Sequence, residues 1–125
     1  EGKIIGRYID GVRTVFINTI GVLYTHKQDG IWIWYESNEI RDEGGKYEGE
    51  IENGKPEGRG QVTYRNGTKY VGIFKNGAWY GKGDFYFPNG EKWVGEFRED
   101  KPFNVTWYDI KGNIVAKWRD GVKID

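Results

Sequence analysis

The chain has 125 residues, the length of one ordinary domain, and its 19 basic and 19 acidic residues leave no net charge. That balance argues against a general nucleic-acid binder, which carries a basic excess. No apolar run approaches the roughly 18 residues of a membrane-spanning helix. With no cysteine, disulfides and thiolate-ligated metals are excluded and redox usage fixes no compartment, although a cytoplasmic setting is preferred. With no methionine the chain is expected to be processed, excised or incomplete at its start, and Glu1-Gly2-Lys3-Ile4-Ile5-Gly6 lacks the pattern of a signal peptide. Twenty glycines and 17% aromatic residues imply many tight turns and an aromatic core, an all-β composition.

In chain order, the first predicted strand leads from Gly2 into Asp10-Gly11. Asn-Gly and Asp-Gly pairs tolerate the positive φ of tight hairpin turns. They recur at Asp29-Gly30, Asn53-Gly54, Asn66-Gly67, Asn76-Gly77, Asn89-Gly90 and Asp120-Gly121. Segment 11–30 reads as a short copy of a hairpin unit and segment 30–54 as a further one. From Tyr47 the repeat is plain, because Tyr47-Glu48-Gly49, Tyr70-Val71-Gly72 and Trp93-Val94-Gly95 are spaced 23 apart. The same interval separates Gly54 from Gly77, Gly58 from Gly81, Gly60 from Gly83 and Gly67 from Gly90. Beyond residue 99 the pattern breaks, with Asp100, Asn104 and Thr106 where glycines are expected, and the spacing contracts. Segment 112–121 then matches segment 2–11 in character. In all, about five hairpins are expected.

Alternation with period two assigns the faces. Tyr47, Gly49 and Ile51 share one side with Tyr70, Gly72, Phe74, Trp93, Gly95 and Phe97, joined by Val62, Tyr64, Phe85 and Phe87 of the second strands. The glycines leave room for an aromatic ring or a neighbouring backbone. No single hairpin buries its own face, so the copies must stack along a shared aromatic seam. At about 10 Å of rise per copy, five copies span roughly 50 Å.

These residues resemble the MORN repeat. Tyr47, Gly49, Gly54, Gly58, Gly60 and Gly67 carry the likeness, then Tyr70, Gly72, Gly77, Gly81, Gly83 and Gly90, then Trp93 and Gly95. The regular repeats occupy 47–97. Residues 11–46 and 100–121 are similar to the looser bacterial variant, and residues 1–125 are read as one domain with degenerate repeats at 1–46 and 98–125. The fold expected is an open, antiparallel, twisted solenoid of about five stacked hairpins. The resemblance implies scaffolding, dimerisation and membrane-proximal assembly.

Catalytic constellations are lacking. Ser37 and His26 are single residues without triad context, and metal-ligand spacings are missing. Glu48, Glu50, Glu52 and Glu96 read as a solvated acidic face rather than paired catalytic carboxylates. Gly58-Arg59-Gly60 and Gly81-Lys82-Gly83 recur at the repeat period with no helix after them, so they are architectural rather than phosphate-binding. Charge is polarised, with a net −5 over residues 36–57 and +4 over residues 58–125.

Trp32, Trp34, Tyr70, Trp79, Trp93, Trp107 and Trp118 are too many for one small core, so some are expected to line a groove. The expected function is therefore a non-enzymatic protein-binding or scaffolding module, without cofactor or metal. It holds a partner segment, or a second copy, along a groove formed by Tyr47, Tyr70, Phe74, Trp93 and Phe97. Val71, Ile73, Tyr86 and Val94 form a second patch on the other face. Membrane-surface or phospholipid-headgroup binding would have to use Lys69, Lys75, Lys82, Lys92 and Arg98, which alternate with acids and form no cluster. Glycan binding through exposed Trp and Tyr, or a role as accessory region of a larger enzyme, are the remaining alternatives.

Overall fold

The computed structural model describes the backbone of residues 4–9, 12–36 and 44–124, and side chains from residue 19 onward within those spans. The Asp10-Gly11 turn and the acids Glu39, Asp42 and Glu43 lie outside the described residues. Among the described residues every element is a strand: β1 (Ile4–Ile9), β2 (Val12–Gln28), β3 (Ile31–Tyr35), β4 (Gly44–Glu52), β5 (Lys55–Tyr64), β6 (Lys69–Lys75), β7 (Ala78–Tyr86), β8 (Lys92–Arg98), β9 (Lys101–Tyr108), β10 (Ile114–Arg119) and β11 (Val122–Ile124). They form one antiparallel sheet in the order β1-β2-β4-β5-β6-β7-β8-β9-β10-β11. This is the expected all-β, open array of hairpins.

β3 is the exception. It turns back at Asp29-Gly30 and pairs only with the far end of β2, between Tyr24↔Tyr35 and Gln28↔Ile31, while β4 takes the other edge of β2. Segment 30–54, expected as a further stacked copy, is therefore split. Its first part pairs with β2 off the main strand order, and its rings reach the apolar face, where Trp34 meets Tyr47 at 6.0 Å and Trp32 meets Tyr64 at 5.3 Å.

Two kinds of turn join the strands. Asp29-Gly30, Asn53-Gly54, Asn76-Gly77 and Asp120-Gly121 have positive φ at both residues, as two-residue hairpins of the right twist require. At Asn66-Gly67 and Asn89-Gly90 only the glycine has positive φ. Those are three-residue loops, closed by the pairs Tyr64 N–H to Thr68 O and Phe87 N–H to Glu91 O.

Glu99 and Asp100 complete the first series without a glycine, at φ 49° and 66°. The left-handed region costs a side-chain-bearing residue about 1–2 kcal/mol, and asparagine pays least. Glu99→Asn is therefore expected to raise stability by ~0.5–1 kcal/mol, read as a higher midpoint in urea unfolding with unchanged slope.

The repeat is built around a bulge. In the β4–β5 hairpin Gly49 pairs Gly60 and Ile51 pairs Pro56, so β5 carries two extra residues between those pairs. The β6–β7 hairpin repeats this with Gly72↔Gly83 and Phe74↔Trp79. Tyr47 and Tyr70 lie across their own glycine pairs, and their hydroxyls donate to the carbonyls of Glu50 (2.6 Å) and Ile73 (3.0 Å) at the bulges. In β8–β9 the pairs are Gly95↔Val105 and Phe97↔Pro102, which leaves one extra residue instead of two. That accounts for the contraction seen in the sequence. Here Trp93 replaces the tyrosine, and Val105, buried, stands opposite Gly95.

Rings interlock between copies. Tyr47 meets Phe74 edge-on at 4.9 Å, and one repeat later Tyr70 meets Phe97 edge-on at 5.2 Å. Tyr70 also stacks on Trp79 at 4.9 Å. The core is this seam, completed by Leu23, Val62, Phe85 and Val105.

Candidate functional site

Of the five residues expected to face a partner, Tyr47, Tyr70 and Phe97 are 0% exposed and Phe74 is 1% exposed. Only Trp93 is half-buried. Alternation correctly put all five on one face, but that face is closed by its own rings. A partner cannot touch the four buried residues without opening the core. Trp93 instead carries the seam on from Phe85 (5.4 Å) to Trp118 (5.0 Å) and Trp107 (6.3 Å), and the indole N–H groups of Trp93 and Trp107 are buried without a hydrogen-bond partner among the described residues.

The seam opens elsewhere. Between β3 and the sheet lies a cleft of about 780 Å³. Trp32, Tyr64, Trp79 and Phe85 supply its aromatic walls; Lys27, Arg65, Glu99, Asp100 and Lys101 supply its charge. β3 is what makes it. Because β3 pairs with β2 off the main strand order, Trp32 reaches Tyr64, 5.3 Å away with a tilt of 46°. Trp79 forms the inner wall and donates its indole N–H to the Tyr64 hydroxyl at 3.1 Å. Burial, only partly countered by that hydrogen bond, pushes the Tyr64 phenol well above its ordinary range.

Asp100 has a structural reason to be there. The turn residue of each of three hairpins donates its N–H to the second strand of the hairpin before it: Gly77 to Pro56 O (2.9 Å), Asp100 to Trp79 O (3.2 Å) and Gly121 to Phe103 O (2.8 Å). Pro56, Trp79 and Pro102 occupy one repeat position. The prolines have no N–H to satisfy, and the turns that follow them carry glycine. Trp79 has one, and it donates to Asp100 Oδ1 at 2.9 Å. The sequence break at Asp100 thus compensates the break at Trp79.

Burial pushes the Asp100 carboxyl above the ordinary carboxylate range, against the pull of the Trp79 N–H and of Lys27. A carboxyl raised in the folded state favours folding when protonated, and that advantage is lost as pH rises from the ordinary Asp value through the raised one. Asp100→Asn keeps an acceptor for Trp79 and removes the charge. It is expected to gain no more than ~1 kcal/mol at neutral pH, since the group is partly solvated, and nothing near about pH 3. Thermal melts of both proteins at the two pH values check this.

The other singled-out groups have local roles. Glu50 accepts the Arg59 N–H at 2.6 Å within the bulge, and His26 stacks on Tyr35 at 5.1 Å with its Nε2 3.0 Å from the hydroxyl. Lys75 and Arg98 lie over Tyr80 and Phe103. Lys69, Lys82 and Lys92 stand on three different strands. The phosphate reading of the Gly-x-Gly pairs has no support in geometry, since each belongs to a bulge.

The sequence model of the MORN repeat matches at 47–69 and again at 70–92, the two copies with the Tyr-over-glycine bulge. Residues 47–69 and 70–92 are MORN repeats. The third copy, where Trp93 and Val105 replace that arrangement, lies outside the match. No curated protein matches the chain. MORN repeats are a binding module rather than a catalytic one, associated with proteins and with membranes.

Proposed function

We propose that the chain is a non-enzymatic binding module whose whole sheet acts as one unit and which holds a segment of a protein partner in the cleft between β3 and the MORN repeats. The cleft itself supports this reading. It is an opening of about 780 Å³ whose walls are Trp32, Tyr64, Trp79 and Phe85, beside the closed part of the seam formed by Tyr47, Tyr70, Phe74 and Phe97. Aromatic anchors set in a partly desolvated pocket with a charged rim are the usual centre of a protein-binding surface.

The groove expected along Tyr47, Tyr70, Phe74, Trp93 and Phe97 is thereby replaced by a shorter site built from the next residues along the same seam. Trp32→Ala removes a wall that lies outside the buried core, whereas Val71→Ala alters the opposite face. Affinity capture with the two variants beside the unaltered chain tests the proposal. Proteins retained by Val71→Ala and lost by Trp32→Ala support it; identical sets from all three would overturn it.

A further inference from the structure

We infer that the β3 cleft takes a cationic side chain, a lysine or arginine of the partner segment; this rests on the protein-binding proposal above and names the chemistry it would recognise. The argument begins with the chain's own charges. Among the described residues, three basic residues line the cleft against two acidic ones, so a simple count favours an anion. Position reverses the count. Lys27, Arg65, Lys101 and Glu99 are exposed, and water screens them. Asp100 is the partly buried member, and its carboxylate sits where the local dielectric is lowest. Burial holds its carboxyl above the ordinary range even though the Trp79 N–H and Lys27 pull it down.

The walls add to the same field. Trp32 and Tyr64 are tilted by 46°, Tyr64 and Trp79 by 59°, with centroids 5.3 and 6.4 Å apart. These rings are splayed walls rather than a closed stack, and aromatic faces attract cations. One cation of the chain already samples this environment, for Lys27 Nζ lies over the Trp32 ring, 5.7 Å from its centroid. Its charge also acts on Asp100. Lys27 thus stands at one wall as a weak competitor for an incoming cation.

Three pentapeptides test this: acetyl-Gly-Gly-Lys-Gly-Gly-amide, the same peptide with acetyl-lysine, and the same with glutamate. Each is titrated into the isotope-labelled full chain while the indole N–H signals of Trp32 and Trp79 are followed. The lysine peptide is expected to move both signals saturably, and the other two not to. Two variants sharpen the reading in opposite directions. Asp100→Asn keeps the Trp79 acceptor and is expected to weaken lysine-peptide binding roughly three- to tenfold, whereas Lys27→Gln is expected to strengthen it. Equal response to all three peptides, movement by the glutamate peptide alone, or no movement by any would overturn the inference. So would lysine-peptide binding unchanged in Asp100→Asn. Loss of captured proteins on Trp32→Ala would still support the protein-binding proposal in those cases. Selective lysine binding with an unchanged captured set would instead uphold the cation site and sink that proposal.

Discussion

Tyr70→Ala is expected to destabilise the chain by about 3–5 kcal/mol, the cost of truncating a fully buried aromatic. Tyr70 is 0% exposed and touches Phe74 and Trp79 of its own hairpin and Phe97 of the next. Its hydroxyl also satisfies the Ile73 carbonyl at the bulge. A domain holds only about 5–15 kcal/mol in total, so this one change removes a large share. Urea unfolding followed by tryptophan fluorescence measures it. Tyr70→Phe isolates the hydroxyl and is expected to cost about 1 kcal/mol, that of one net hydrogen bond. If Tyr70→Ala cost less than about 1 kcal/mol, the ring would not be a core element. The prediction also bears on function, because lost partner capture in Tyr70→Ala would follow from unfolding alone. Trp32 is the better probe for that reason.

The sequence carried the period, the turn dipeptides and the alternation, and these are local features that a single strand or turn decides for itself. Tyr47, Gly49 and Ile51 therefore fall on the predicted face, and Asn53-Gly54 and Asn76-Gly77 turn as predicted. Alternation names a face without saying what covers it. The cover for Tyr47 comes from Phe74, 27 residues on, and from Trp34 on β3, the strand off the main order. Those contacts depend on the twist summed over several strands, which no local pattern encodes. Four of the five residues expected to line a groove are buried for this reason, while Trp32, Tyr64 and Trp93 stay half-buried on the same face. One signal for the site did exist in the sequence. Trp79 stands between Pro56 and Pro102 at the repeat position, and Asp100 follows where Gly54 and Gly77 set the rule. Two departures in adjacent copies, 21 residues apart, pointed to a contact that the regular copies do not make.

The second large effect concerns what the glycines exclude. A Cβ on Gly83 would overlap the Tyr70 hydroxyl and stand 2.6 Å from ring carbons Cε1 and Cζ. Gly83 has no positive φ, so its backbone accepts alanine and only the ring forbids it. Tyr70 cannot swing away, because its ring is enclosed and its hydroxyl is held by Ile73 O. Gly83→Ala is therefore expected to cost about 2–3 kcal/mol, as overpacking of a closed core does. Gly54 presents the opposite case, with φ +73° and open space around its missing Cβ. Gly54→Ala is expected to cost about 1 kcal/mol from backbone strain alone. A double-mutant cycle separates the two causes. In a Tyr70→Leu background, with no ring over the glycine pair, Gly83→Ala is expected to cost less than about 1 kcal/mol, a coupling of the size found between residues in contact. The cost of Gly54→Ala should not change with that background. If Gly83→Ala were equally costly with and without the Tyr70 ring, the bulge backbone rather than the ring would set the requirement for glycine, and the 23-residue period would reflect strand geometry more than the seating of one aromatic per copy.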